Sequence, residues 1–157
     1  MQDDHPIKAP LLDHICDLEI ELSPILELGQ GRAGKRRIIP IIGGTCTGKI
    51  NGKILHLGAD WQTIYENGTA ELIARYAIET DDGALIEIQN EGFRHGPAEV
   101  IAKLAQGEDV PPEDYYMRTT ARLETGDARY DWVNSLVYVG TGARLAKAVH
   151  LRVFAVT

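Results

Sequence analysis

Tyr115-Tyr116-Met117-Arg118-Thr119-Thr120-Ala121-Arg122-Leu123-Glu124-Thr125-Gly126, continued by Tyr130-Asp131-Trp132-Val133-Asn134, is the stretch whose reading decides the fold. A strand projects successive side chains to opposite faces, so Tyr116, Arg118, Thr120, Arg122 and Glu124 share one face. The same alternation groups Tyr130, Trp132 and Asn134 on one face of a strand that follows. A face of phenol, guanidinium, carboxylate, indole and amide is either solvated surface or the polar lining of a pocket inside a barrel. The sequence leaves both open.

Outward from that stretch, turn signals recur at short intervals: Asn51-Gly52, Glu66-Asn67-Gly68, Asp81-Asp82-Gly83, Thr125-Gly126-Asp127 and Gly140-Thr141-Gly142. Short runs rich in β-branched and aromatic residues lie between them, the pattern of an all-β sandwich or barrel. Strands are expected over 14–23, 36–46, 52–58, 60–66, 69–80, 84–91, 116–124, 130–139 and 145–156. In the first, Cys16, Leu18, Ile20 and Leu22 oppose Asp17, Glu19 and Glu21, giving one buried and one wet face. Residues 97–105 break the pattern. Pro97 opens a helical turn, Val100, Ile101 and Leu104 fall on one face, and Gly107 follows, so one short amphipathic helix is expected. No repeat or long linker divides the chain, which reads as a single β-barrel domain over 1–157.

With 157 residues the chain is long enough to bury a core without staples. Its net charge of -7 argues against nucleic acid as a partner, since phosphate attraction needs a basic surface. Lys35-Arg36-Arg37 is too short a cluster to reverse that. Cys16 and Cys46 make no disulfide framework or CxxC pair. The first residues lack the basic start and apolar run of a secretory signal, and no apolar run approaches a membrane span. Cytoplasmic location and no membrane partner are the expectations.

Several motifs invite a chemical reading. Gly43-Gly44-Thr45-Cys46-Thr47-Gly48-Lys49 matches the phosphate-loop pattern GxxxxGK, but Ile50 stands where a magnesium-binding hydroxyl belongs, and Asn51-Gly52 turns into another strand instead of a helix. The glycines fit a bulge or a close backbone approach better. The histidines are scattered without HxH or HExxH spacing, so no metal is expected. His95 precedes the helix, where an imidazole is either a candidate acid or base or a hydrogen-bond partner of the loop backbone. Asp60 beside Trp61 is either a desolvated acid/base carboxylate or a turn residue satisfying backbone N–H groups. Arg75 shares its parity with Glu71 and Glu79, which fits an outer face carrying cross-strand ion pairs. Only on an inward face would Arg75 and Arg118 anchor a carboxylate or enolate, with Tyr116 beside them as a proton donor.

The motifs Arg37-Ile38-Ile39-Pro40, Gly43-Gly44-Thr45, Gly58-Ala59-Asp60-Trp61, Ala74-Arg75-Tyr76 and Thr80-Asp81-Asp82-Gly83 run in order along the chain. Arg94-His95-Gly96-Pro97, Tyr115-Tyr116-Met117-Arg118-Thr119, Glu124-Thr125-Gly126 and Trp132-Val133-Asn134 continue them. In these the sequence resembles the domain of unknown function 3237 family, also called uncharacterised protein family 0311, over nearly its whole length. Ala121 stands where that pattern has proline and Val133 where it has leucine, and neither change removes a functional group. The resemblance implies a compact antiparallel barrel of lipocalin-like form with one helix, and a pocket lined by the arginine, tyrosine and tryptophan positions.

The expected function is binding of a small carbonyl-containing or aromatic molecule inside the barrel. Cofactor-independent acid/base chemistry of isomerase, cyclase, lyase or hydrolase type is expected there. Asp60 or Glu124 would serve as base, Tyr116 or His95 as acid and Arg118 or Arg75 as oxyanion stabiliser. Trp61, Arg94, Trp132 and Asn134 complete the expected substrate contacts, and no cofactor is called for. A non-catalytic carrier or sensor would use the same walls. In the last strand Phe154 and Val156 oppose Leu151, Val153 and Ala155, so both faces are apolar and a homodimer is the expected oligomer.

Overall fold

The computed structural model describes residues 4–157 and contains nine strands, every pair antiparallel. They are β1 (Leu12–Leu22), β2 (Leu26–Gln30), β3 (Lys35–Gly48), β4 (Gly52–Ile64), β5 (Ala70–Thr80), β6 (Leu85–His95), β7 (Tyr116–Glu124), β8 (Val137–Arg144) and β9 (Ala148–Val156). One α-helix, α1 (Ala98–Ala105), separates β6 from β7. From β3 to β9 each strand pairs with the next, and β1 pairs with both β9 and β3, which closes the ring. β2 only flanks β3, so eight strands make the barrel wall. Closure removes the free edges that an open sheet would expose.

β1 and β3 form the closing seam, from Cys16↔Gly48 to Leu22↔Ile41. The glycines of the phosphate-loop lookalike belong to it. Gly44 has φ +131°, and a Cβ there would sit 1.9 Å from the Glu19 carbonyl oxygen. Only glycine admits that approach. The motif is a seam between strands.

Alternation along β7 is complete: Met117, Thr119, Ala121 and Leu123 face inward or are buried, and Tyr116, Arg118, Thr120, Arg122 and Glu124 are exposed. The polar face of the opening stretch is therefore the outer wall. Three further expectations are corrected. Residues 52–58 and 60–66 are one strand, β4, whose pairing with β5 shifts register between Ile54 and Gly58. The expected strand over 130–139 is a 3-10 segment, Ala128–Ser135, followed by β8. Gly140-Thr141-Gly142 lies within β8 and makes no turn. A Cβ at Gly140 would meet Thr119 Oγ1 at 2.5 Å, and one at Gly142 would meet Met117 Sδ at 3.0 Å. These glycines leave room for interior side chains, and nothing in their local sequence distinguishes that from a turn. β2 was not anticipated, because its Leu26-Glu27-Leu28-Gly29-Gln30 is exposed throughout and carries no buried face.

The two ends of the barrel differ. At the end where β7 finishes and β8 begins, Ile50, Ile54, Ile78, Ile86, Val133 and Tyr138 fill the interior. The 3-10 segment Ala128–Ser135 closes this end. Asn134 clamps it by accepting from Thr125 N at 2.9 Å and donating to Thr125 O at 2.9 Å. Tyr138 OH donates to Val133 O at 2.9 Å. Leu11 and Thr157 also meet at this end, through a reciprocal pair of backbone bonds of 2.7 and 2.8 Å. At the other end α1 lies beside the mouth with none of its residues buried. Val100 and Leu104 rest on a small cluster of Ala70, Leu72, Val110, Tyr115 and Met117. The helix stops in a left-handed glycine motif, with Gly107 N bonded to Leu104 O and Glu108 N to Lys103 O.

Candidate functional site

Polar side chains interrupt the apolar inward faces near the mouth. Register places Asp60 beside Ala74 and Ala74 beside Asn90, while Gln62 pairs with Arg37 on one side and Leu72 on the other. Arg94 sits opposite Met117, and Arg144 ends β8 opposite Val149. Asp60, Gln62, Tyr76, Asn90, Arg94, Thr119 and Arg144 line a cavity of about 40 Å³ whose remaining wall is mostly aliphatic. At roughly 10–15 Å³ for each water-sized site, that is space for a few small heavy atoms. It adjoins a cleft of about 630 Å³ under α1, with Leu22, Arg94 and Arg144 lining both. The cleft has the volume of an ordinary small-molecule site.

A directional relay orients Asp60. Arg37 Nε donates to Gln62 Oε1 at 2.8 Å, and Gln62 Nε2 donates to Asp60 Oδ2 at 2.7 Å. Ile73 N donates to Asp60 Oδ1 at 3.0 Å. Since an arginine can only donate and the carboxylate accepts, the relay fixes which way the Gln62 amide points. Burial raises the Asp60 pKa above its ordinary 3.8, with the Gln62 and Ile73 bonds and the charges of Arg94 and Arg37 working against the shift. Burial, with mutual repulsion, lowers Arg94 to about 10. Arg37 and Arg144 are depressed by burial as well. Burial holds the Tyr76 phenol up, so it remains a proton donor at neutral pH.

Four buried side-chain atoms lack a hydrogen-bond partner among the described residues: Tyr76 Oη, Asn90 Oδ1, Thr119 Oγ1 and Arg144 Nη1. All four belong to residues lining this one cavity. Buried polar groups are nearly always satisfied, so their convergence singles out this cavity as the candidate site.

Of the residues singled out from sequence, the structure brings Asp60 and Arg94 into this cavity and places the others elsewhere. Tyr116, Arg118 and His95 group on the outer wall. The His95 and Tyr116 rings stack at 4.7 Å, and the Arg118 guanidinium lies 5.4 Å from the Tyr116 centroid. Arg75 pairs outside with Glu87 at 2.9 Å, as its parity suggested. Trp61 is on the outer face, and Glu124 is exposed at the end of β7. Trp132 packs from the 3-10 segment against the closed-end core, where Asn134 serves as the clamp described above. Sequence reading passed over Gln62, Asn90 and Arg144, and Arg37, Tyr76 and Thr119 stood in the family motifs without a role of their own. Their signal was a polar group at an otherwise apolar parity, such as Thr119 among Met117, Ala121 and Leu123.

These features define a closed antiparallel barrel with a charged, ligand-sized interior open at one end. The chain belongs to the family described as protein of unknown function (DUF3237), whose model matches residues 10–156. It is 42% identical over 143 residues to the UPF0311 protein blr7842 of Bradyrhizobium diazoefficiens, covering 90% of this chain and 94% of that one. Among solved structures it is similar to RPA1785 of Rhodopseudomonas palustris, at TM-score 0.91 and 39% identity, over 96% of this chain and 99% of that one. A beta-barrel like protein of Acinetobacter baumannii matches at TM-score 0.85 and 45% identity, over 99% and 100%. The fold alone is shared with an enzyme from Penicillium herquei, at TM-score 0.74 and 19% identity over 99% and 100%. Among the described residues no helix is long and apolar enough to cross a membrane.

Proposed function

We propose that the protein binds a small carbonyl-containing or aromatic metabolite in the mouth of the barrel and carries out cofactor-independent acid/base chemistry on it. The observation carrying this reading is the half-buried Asp60 carboxyl, held by donors on its own strand and on β5 and facing a cavity rimmed by unpartnered polar atoms. Asp60 is the base. A carboxylate raised by burial accepts a proton more readily than a solvated one. Arg94 and Arg144 face the charge that develops on a carbonyl oxygen as the proton leaves, and Tyr76 can hand a proton back. Reactions within reach of this set are isomerisation, cyclisation, elimination and hydrolysis. The shared fold of the Penicillium herquei enzyme is consistent with catalysis on this barrel, though fold analogy supplies no mechanism.

The test is ligand fate. The wild-type protein is incubated with metabolite extracts and each compound is followed for consumption. Asp60→Asn is expected to slow turnover about 10²–10⁴-fold while still retaining the compound. Retention without conversion by the wild type would make the protein a carrier or sensor. Unchanged turnover in Asp60→Asn would remove the carboxylate from the chemistry.

A further inference from the structure

Charge inside the barrel is out of balance. Arg37, Arg94 and Arg144 all line the mouth, and Asp60 is the carboxylate that offsets them there. Among the described residues none of the three guanidiniums forms a salt bridge. Arg37 is partly occupied by Gln62 and by the field of Glu27. Among the described residues Arg94, only 7% exposed, makes no side-chain hydrogen bond or salt bridge, and Arg144 Nη1 is buried without a partner. Cations withdrawn from water without compensation are costly. Arg94, buried, and Arg144, half-buried, lie within each other's field, so the site calls for an anion that the chain does not itself supply. General basicity is no explanation, because the chain has 16 Lys and Arg against 23 Asp and Glu.

We infer that Arg94 and Arg144 clamp the carboxylate of an amphipathic organic acid, whose apolar body lies in the cleft under α1. This rests on the reading of the barrel interior as the binding site and adds the class of ligand. Guanidinium donors match the two coplanar oxygens of a carboxylate. The cavity of about 40 Å³ suits a head group and no more. Beyond it, Ile25, Ile42, Ile64, Ile101 and Leu104 give the cleft apolar walls, which favour a hydrocarbon or aromatic body over a second polar group. The Tyr76 and Thr119 hydroxyls can donate to the head group, whereas the Asn90 oxygen is an acceptor and calls for a donor such as water.

Calorimetric titration of the intact protein tests this with benzoate, hexanoate, benzamide and inorganic phosphate. Benzoate and hexanoate are expected to bind, with benzamide at least about tenfold weaker because it forfeits the charge-assisted bonds. Arg94→Met and Arg144→Met should each weaken benzoate about tenfold or more, and Arg152→Met on the outer wall should not. Ligand-free Arg94→Met should melt no lower than wild type, since it removes an unpaired buried charge. The inference is overturned by equal affinity for benzamide and benzoate, by phosphate binding as tightly as benzoate, or by no carboxylate binding at all. A lowered melting temperature in Arg94→Met with benzoate affinity intact in Arg144→Met also overturns it, by making the arginines structural. If neutral carbonyl compounds are converted while carboxylates fail to bind, the catalytic reading stands and this one falls. If carboxylates bind and nothing is converted, the reverse holds.

Discussion

Tyr138 and Tyr76 both point into the barrel and both are fully buried, at 0% and 1% exposure, yet their hydroxyls meet opposite fates. Toward the closed end Tyr138 donates to the Val133 carbonyl, and burial pushes its pKa up to about 12. Toward the mouth Tyr76 has no hydrogen-bond partner among the described residues. The same contrast runs through everything around them. At the closed end Ile50, Ile78, Ile86 and Val133 fill the space and the clamp at Asn134 satisfies its polar groups. At the mouth end Asn90, Thr119 and Arg144 carry orphaned atoms around a cavity. One end holds the fold together so that the other can hold groups in arrangements that do not favour folding. Strain and unmet polar demand of this kind are typical of sites that bind or react.

Truncation gives the largest expected contrast. Ile78→Ala, in the closed-end core at 0% exposure, should cost about 2–5 kcal/mol by denaturant unfolding. Ile42→Ala at the mouth, where the side chain is already 37% exposed, should cost less than about 1 kcal/mol. Similar losses at both positions would mean that the mouth is as much a part of the stabilising core as the closed end.

The tyrosines themselves sharpen the point. Tyr138→Phe strands a buried carbonyl and should lose about 1 kcal/mol or more. Tyr76→Phe removes a hydroxyl with nothing to bond to, and should leave ligand-free stability within about 0.5 kcal/mol of wild type. A loss at Tyr76 equal to that at Tyr138 would show that its hydroxyl is satisfied in solution.

The smallest expected effect lies in pH. Asp60 titrates above its ordinary 3.8 in the native state, so above that value the folded protein holds a proton that the unfolded chain has released. Its contribution to stability therefore falls as pH rises from 3.8 through the raised native value, and is constant beyond. Asp60→Asn lacks this slope. Its melting temperature relative to wild type should climb as pH rises from about 4 and level off once the native carboxyl has ionised, whatever fixed offset the amide introduces. A flat difference across that range would place the Asp60 carboxyl in ordinary, well-solvated surroundings.

How far the sequence foretold this depended on what kind of signal each residue carried. Period-two alternation and turn residues pointed to an all-β sandwich or barrel and to the inward set of Leu151, Val153 and Ala155. The family resemblance favoured the barrel, and Pro97 with the helical spacing of Val100, Ile101 and Leu104 marked the helix at 97–105. Alternation on β7 separated two faces correctly but could not say which was wet. The uniformly polar one proved to be solvent-facing, as ordinary antiparallel strands would have it. Asp60 was legible from its setting beside Trp61 and after Gly58-Ala59, although the indole turned outward. Arg144 was not, because Gly140 and Gly142 made its strand look like a turn. Those glycines answer to Thr119 and Met117, which stand on another strand and leave no local mark.

The backbone bonds between Leu11 and Thr157 put the start of β1 and the finish of β9 together at the end opposite the mouth. Anything attached through Thr157, whether a fluorophore, a biotinylated peptide or a second protein, therefore hangs from the sealed base of the vessel. Immobilised that way on a sensor chip, the molecules would stand mouth outward with the cleft under α1 facing the flow.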